Sequence, residues 1–177
     1  MEAKASDTRR AFVARVTAAL SALAGAAAVV PGLGLLLSPL RKMTVRGPGR
    51  PVRVASEHDV CPDKPLRVTA VGDRQDAWVR LDRVTLGSCW LVRAHEGAPV
   101  RAFSTVCPHL GCGVDYDAQA RKFDCPCHGS SFDLDGRCLR GPSPRGLDEL
   151  EVVSTETEIR VRYQRFKVAS KMKEPIG

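Results

Sequence analysis

The chain has 177 residues, which is enough for one compact domain with appendages and too few for two ordinary domains. Its formal net charge of +7 would suit a protein that binds nucleic acid, yet residues 1–53 carry that whole excess and residues 54–159 are net acidic. Since no basic face is interleaved with aromatic residues, the sequence predicts no nucleic-acid partner.

The first fifteen residues contain two adjacent arginines, Arg9 and Arg10, followed by Phe12 and an alanine-rich stretch. This pattern resembles the twin-arginine export signal, an address used by proteins that fold before they cross a membrane. The alternative is that both arginines only anchor a helix end at lipid headgroups. We predict that residues 1–15 form a cytoplasmic N-terminus with a twin-arginine signal.

Residues 16–40 contain no charged side chain. As a helix they would reach roughly 37 Å, enough to cross a hydrocarbon core of about 30 Å, so we predict one transmembrane helix. Pro31 and Pro39 are expected to bend or end it. A signal peptide that is cleaved at small residues is the alternative, but the length and the lack of a clean cleavage pattern favour an uncleaved anchor. Basic residues flank both ends, so the export signal decides the orientation and places the C-terminal part outside the cytoplasm.

The amino-acid composition and periodicity change twice along the remaining chain. Residues 41–54 are rich in Gly, Pro and Arg and predict a hinge. Residues 55–163 contain short β-like runs separated by turn residues, such as Glu158-Ile159-Arg160-Val161-Arg162-Tyr163, which alternates apolar and charged positions. We therefore predict a small all-β domain with antiparallel strands, followed by a basic, solvated tail over residues 164–177.

Two short segments combine cysteine with histidine: Cys107-Pro108-His109-Leu110-Gly111-Cys112 and Cys125-Pro126-Cys127-His128-Gly129-Ser130. Thiolate and imidazole are metal ligands, and two of each form a set that can also hold zinc. A structural zinc site would need only four ligands and would not require the neighbouring Cys112 and Cys127. The three other cysteines, Cys61, Cys89 and Cys138, have no pairing that can be read from the sequence.

The two motifs resemble those of the Rieske subunit of cytochrome bc-type quinol oxidoreductases, from which only Pro108 departs. The resemblance implies a Rieske-type sandwich or barrel with an inserted cluster-binding subdomain and one [2Fe–2S] cluster. It implies that Cys107 and Cys125 bind one iron and that His109 and His128 bind the other. Further implied roles are a disulfide between Cys112 and Cys127, a Ser130 hydroxyl that donates to the cluster, and a covering Pro loop made of Gly141, Pro142, Ser143 and Pro144.

The same resemblance implies a function. His109 and His128 would sit at an exposed tip and take an electron and a proton from quinol at a cytochrome b subunit, and a cytochrome c-type protein would accept the electron. The chain would be one subunit of an oxidoreductase, without turnover of its own, in a dimeric multi-subunit complex of a bacterial inner membrane. It would cross that membrane once, with the Rieske domain on the extracytoplasmic side. The alternatives are the small Rieske subunit of an arsenite-oxidase-like molybdoenzyme and, less favoured, a structural zinc-binding module.

Phe132 departs from the resembling family, in which many members carry a Tyr whose hydroxyl donates to a ligand sulfur. Phe has no such donor, so we predict a lower reduction potential than in relatives with Tyr, suited to a low-potential quinol such as menaquinol.

Overall fold

The computed structural model describes residues 3–41, 49–75 and 79–176. Residues 42–48 of the predicted hinge therefore lie outside the described residues. The chain divides into two compact units, residues 1–43 and residues 44–177.

The first unit is a single α-helix, α1 (Ala3–Arg41). It begins thirteen residues before the predicted start and continues through Pro31 and Pro39, which the sequence analysis expected to bend or end it. Alanine and leucine dominate both sides of Pro31, and their high helix propensity offsets the lost backbone hydrogen bond. Thr8–Ser38 forms a stretch long and apolar enough to cross a membrane, with a mean hydropathy of 2.0.

The larger sheet of the second unit has six strands that pair in an antiparallel manner in the order β1-β10-β9-β4-β3-β2. Its strands are β1 (Val52–Ser56), β2 (Leu66–Gln75), β3 (Arg80–Val92), β4 (Arg101–Ser104), β9 (Glu149–Ser154) and β10 (Glu158–Arg162). The edge strands β1 and β2 contact each other, so the sheet nearly closes into a barrel. A single 3₁₀ turn, Glu57–Asp59, follows β1.

A smaller sheet of four antiparallel strands is inserted between β4 and β9. Its strands are β5 (Asp115–Asp117), β6 (Lys122–Cys125), β7 (Ser130–Phe132) and β8 (Cys138–Arg140). The predicted all-β domain with an inserted subdomain and a preceding apolar helix is thus confirmed.

Two hydrophobic clusters fill the second unit. One lies inside the barrel and includes Leu91, Ile159 and Val161. The other joins the barrel to the inserted sheet: Trp90 of β3 packs against Phe123 of β6, with ring centroids 5.6 Å apart, and its indole N–H donates to the carbonyl of Val114 at 3.0 Å. This second cluster, here called the hydrophobic floor, lies beneath the two cysteine–histidine segments.

The last residues do not form the solvated tail that the sequence analysis expected. Strands β11 (Arg165–Phe166) and β12 (Pro175–Ile176) pair as a small hairpin, here called the C-terminal hairpin (residues 165–176). Its middle contacts the first cysteine–histidine segment, because the amide of Ala169 donates to the carbonyl of Pro108 at 2.9 Å. The basic side chains masked this role in the sequence, since a charged stretch usually indicates a solvated surface.

Candidate metal centre

The two cysteine–histidine segments adopt the same turn. The amide of Gly111 donates to the carbonyl of Cys107 at 2.9 Å, and the amide of Gly129 donates to the carbonyl of Cys125 at 3.1 Å. Both glycines have positive φ, +85° and +71°, a conformation that glycine adopts at little cost. We name these segments the first ligand turn (107–112) and the second ligand turn (125–130).

The turns bring four side chains together in two layers. Cys107 and Cys125 are buried, at 1% and 3% exposure, and lie next to each other. Above them the rings of His109 and His128 lie 4.8 Å apart at 90° to each other, His109 half-buried and His128 exposed. The thiols therefore face the protein interior and the imidazoles face outward.

A disulfide between Cys112 and Cys127 joins the two turns. Its Cα atoms are 6.6 Å apart, and its sulfurs lie within 4.8 Å of the Cys125 sulfur. The crosslink thus covers one side of the site next to a buried thiol. The reactive group beside it is Cys125, because disulfide sulfurs are no longer available as thiolate ligands.

Burial raises the pKa of Cys107 to about 11, and the adjacent Cys125 adds to the rise. Hydrogen bonds from the His109 backbone and from the Ser130 side chain act in the opposite direction. A thiolate pair at this depth needs a positive partner, and a metal ion supplies one by displacing the thiol protons. The pair of buried thiols and the pair of adjacent imidazoles match the donor set of a Rieske [2Fe–2S] cluster, in which two thiolates bind one iron and two imidazoles bind the other.

Ser130 connects the site to the predicted Pro loop. Its hydroxyl is buried and accepts a hydrogen bond from the Ser143 amide at 3.2 Å, which leaves its own proton to donate toward the Cys107 sulfur. Gly141 packs directly on the second ligand turn: a Cβ at this position would lie 2.4 Å from the Cα of Ser130, and its φ is +96°. Only glycine fits here, so Gly141 fixes how closely the loop approaches.

An ion pair that the sequence motifs did not predict lies below the Pro loop. Arg145 donates two hydrogen bonds to the carboxylate of Asp148, at 2.9 and 2.7 Å, and both side chains are at most 10% exposed. Arg145 also donates to two carbonyls of the C-terminal hairpin, those of Lys167 at 2.8 Å and of Ser170. The spacing of three residues between an arginine and an aspartate was the available signal, but it is common on exposed turns.

The remaining cysteines form no disulfide in the structure. Cys61 is exposed and Cys89 is fully buried in the barrel, where burial raises its pKa to about 12. Cys138 is half-buried and its thiol contacts the carbonyl of Ser143 in the Pro loop, at 3.9 Å.

Comparison with known proteins identifies relatives of this chain. The chain is 47% identical over 55 residues to the cytochrome b6-f complex iron-sulfur subunit of Prochlorococcus marinus (strain AS9601), a match that covers 30% of this chain and 31% of the relative. It is 39% identical over 80 residues to subunit 1 of the same kind from Nostoc sp. (strain PCC 7120 / SAG 25.82 / UTEX 2576), covering 40% and 45%. The match thus spans less than half the length of these curated relatives.

Among solved structures, a chain of a hyperthermophilic respiratory Complex III aligns with a TM-score of 0.43 and 23% identity, covering 78% of this chain and 98% of that one. The cyanobacterial plasma membrane Rieske protein PetC3 from Synechocystis PCC 6803 aligns with a TM-score of 0.42 and 25% identity, covering 55% and 86%. The family model of the Rieske [2Fe-2S] domain matches residues 50–154, which include both ligand turns and the Pro loop. The chain therefore belongs to the Rieske [2Fe–2S] family.

Proposed function

We propose that this chain is the Rieske subunit of a membrane-bound quinol oxidoreductase, which takes an electron from quinol at a cytochrome b subunit and passes it to a cytochrome c-type acceptor. Cys107 and Cys125 hold the inner iron, and His109 and His128 hold the outer one. The observation that carries the proposal is the layering of the site, with the thiols buried and the imidazoles turned outward.

The layering separates two tasks. When bound, the cluster supplies one-electron chemistry at a potential that is raised because imidazoles replace two thiolates. His109 and His128 present their outer nitrogens at the surface, where one nitrogen can accept a hydrogen bond from a quinol hydroxyl and then hold its proton. The buried thiols of Cys107 and Cys125 lie on the opposite side of the site, away from water.

The polypeptide around the histidines supports contact with an apolar partner. Leu110, next to His109, is 56% exposed. The Pro loop also borders the site, and its residues Gly141 and Pro142 are exposed. An exposed leucine beside two metal-ligating histidines suits docking against a membrane subunit that holds the quinol. The two curated relatives named above are iron-sulfur subunits of cytochrome b6-f complexes, which supports a cytochrome partner in a multi-subunit complex. A dimeric state of that complex is part of the proposal.

The N-terminal helix gives the proposed location. Thr8–Ser38 can anchor the chain in a bacterial inner membrane as a single pass, and the arginine pair at its N-terminal end would place the Rieske domain on the extracytoplasmic side. The predicted hinge, reduced to the residues between α1 and β1, would then let the tethered domain move between its donor and its acceptor. The comparisons do not favour the arsenite-oxidase-like or zinc-binding alternatives.

The first test is low-temperature EPR of the purified full chain, reduced with ascorbate and then with dithionite. We expect a rhombic signal with an average g below the free-electron value already with ascorbate. A signal that needs dithionite would retain the cluster but contradict quinol oxidation. A silent sample that contains zinc would contradict both.

The ligand assignment needs its own variants. Cys107→Ser and Cys125→Ser should each abolish the EPR signal, since serine replaces a ligand thiolate on the same iron. Cys61→Ser is the matched control, because Cys61 is a free and exposed cysteine outside the site. Loss of signal in the control, or its retention in either ligand variant, would contradict the assignment.

A further inference from the structure

The C-terminal hairpin reaches the peptide group between two proposed iron ligands. The amide of Ala169 donates to the carbonyl of Pro108 at 2.9 Å, and Pro108 is fully buried. The N–H of that same peptide group belongs to His109, and it donates to the sulfur of Cys107. Ala169, the Pro108–His109 peptide and the Cys107 sulfur therefore form one chain of two hydrogen bonds.

Hydrogen bonds that share a peptide group strengthen each other. A donor on the carbonyl draws electron density toward the oxygen, which makes the N–H on the other side a better donor. A stronger donor to a ligand sulfur stabilises the reduced, more negative form of an iron–sulfur cluster and so raises its reduction potential. The Ala169 amide would thus influence the cluster although it donates to the Pro108 carbonyl and not to a ligand atom.

The position of Ala169 is held from both sides. Arg145 binds the carbonyls of Lys167 and Ser170, two residues before and one residue after Ala169, and is itself fixed by the buried Asp148. Ala169 has a φ of +54°, a left-handed conformation that is unfavourable for a residue with a side chain. Packing must impose this conformation, and it directs the amide toward Pro108.

We propose that the C-terminal hairpin raises the reduction potential of the cluster through the Ala169 amide, with Arg145 and Asp148 as positioning residues. The inference rests on the Cys107 and His109 ligand assignment and not on the proposed oxidation of quinol. It can therefore hold or fail whatever the electron donor is.

The test compares two substitutions at one position in the full chain with its cluster. Ala169→Pro removes the N–H and excludes positive φ, whereas Ala169→Gly keeps the N–H and accepts that φ. In a redox titration followed by EPR, we expect the proline variant to hold the electron about threefold to tenfold less tightly, which is a potential about 28 to 59 mV lower. The glycine variant should match the parent. Equal potentials in the two variants would overturn the proposal.

A second pair of substitutions tests the positioning residues. Arg145→Gln combined with Asp148→Asn removes both charges together, so no unpaired charge stays buried and the net charge is unchanged. We expect a lower potential than in the parent, and no additional fall when Ala169→Pro is combined with it. A parental potential, or a fall that adds fully to that of Ala169→Pro, would contradict this role. Should Ala169→Pro fail to retain the cluster, the potential of this double variant decides the question.

Discussion

The two sheets of the β unit are stabilised in different ways. The six-stranded barrel has strands of up to thirteen residues and its own apolar interior. The inserted four-stranded sheet has strands of three or four residues, too short to be stable by pairing alone. It depends on a disulfide, on glycines at positive φ and on the hydrophobic floor that it shares with the barrel.

This difference locates the vulnerable part of the molecule. In the barrel, the loss of one contact leaves many other contacts between the same strands intact. In the inserted sheet, each turn is fixed by a few specific contacts that also position a proposed iron ligand. Changes in the small sheet should therefore affect the metal site before they affect the barrel.

Removal of the disulfide should have the largest effect. The double variant Cys112→Ala/Cys127→Ala opens a crosslink between residues fifteen positions apart, which should cost about 3 kcal/mol of the free energy of unfolding. The loss should be local. Hydrogen exchange should accelerate at Phe123 and Phe132 of the inserted sheet and stay slow at Ile159 and Val161 of the barrel. Equal acceleration in both sheets would contradict the division drawn here.

Gly141→Ala should come next. The new methyl group would lie 2.4 Å from the Cα of Ser130, and alanine is strained at a φ of +96°, so we expect a loss of about 2–4 kcal/mol in denaturant unfolding. Gly97→Ala is the matched control. Gly97 also has positive φ, +79°, but open space around the position of a Cβ, so only the backbone cost of about 1–2 kcal/mol applies. Similar losses in the two variants would show that contact with the second ligand turn is unimportant.

Phe132→Tyr should change the metal site with little effect on either sheet. The ring is fully buried in the shared hydrophobic floor, and a hydroxyl that donates to a ligand sulfur should raise the potential by about 60 mV. Redox titration measures this shift. Phe123→Tyr is the control, since Phe123 is equally buried and pairs with Phe132 across the sheet. An unchanged potential in Phe132→Tyr, or an equal rise in the control, would contradict the explanation given for Phe132.

The smallest effect is expected in the barrel. Hydrogen bonds from Arg101 hold the pKa of Glu149 below its ordinary value of 4.5. This pair therefore stabilises the fold fully above pH 4.5, and its contribution is lost as the pH falls through the lowered value. Because Glu149 is 46% exposed, we expect less than about 1 kcal/mol.

Denaturation curves between pH 3 and pH 7 check this expectation. Glu149→Gln should remove part of the fall in stability at acid pH, whereas Glu156→Gln at an exposed turn should leave it unchanged. A loss at acid pH that is the same in the parent and in Glu149→Gln would contradict the contribution of the pair.

Sequence reasoning succeeded where one residue type has one physical role. Alternation over Glu158–Tyr163 predicted strand β10, and the cysteine–histidine motifs predicted which side chains the fold brings together. It missed strands β5 to β8, since three or four residues are too few to establish a periodicity of two. It also missed the C-terminal hairpin. The contact at Ala169 joins a backbone amide to a backbone carbonyl, and no side chain in the sequence indicates such a contact.

The closeness of the Cys125 sulfur to the disulfide has a consequence for assembly. A free thiolate within reach of a disulfide can attack it and exchange partners, whereas a thiolate held by iron is not available for that reaction. In the proposed ligand set, iron at Cys125 would therefore also preserve the pairing of Cys112 with Cys127. The order in which metal and disulfide are introduced would then decide whether the cysteines of the two ligand turns reach these partners.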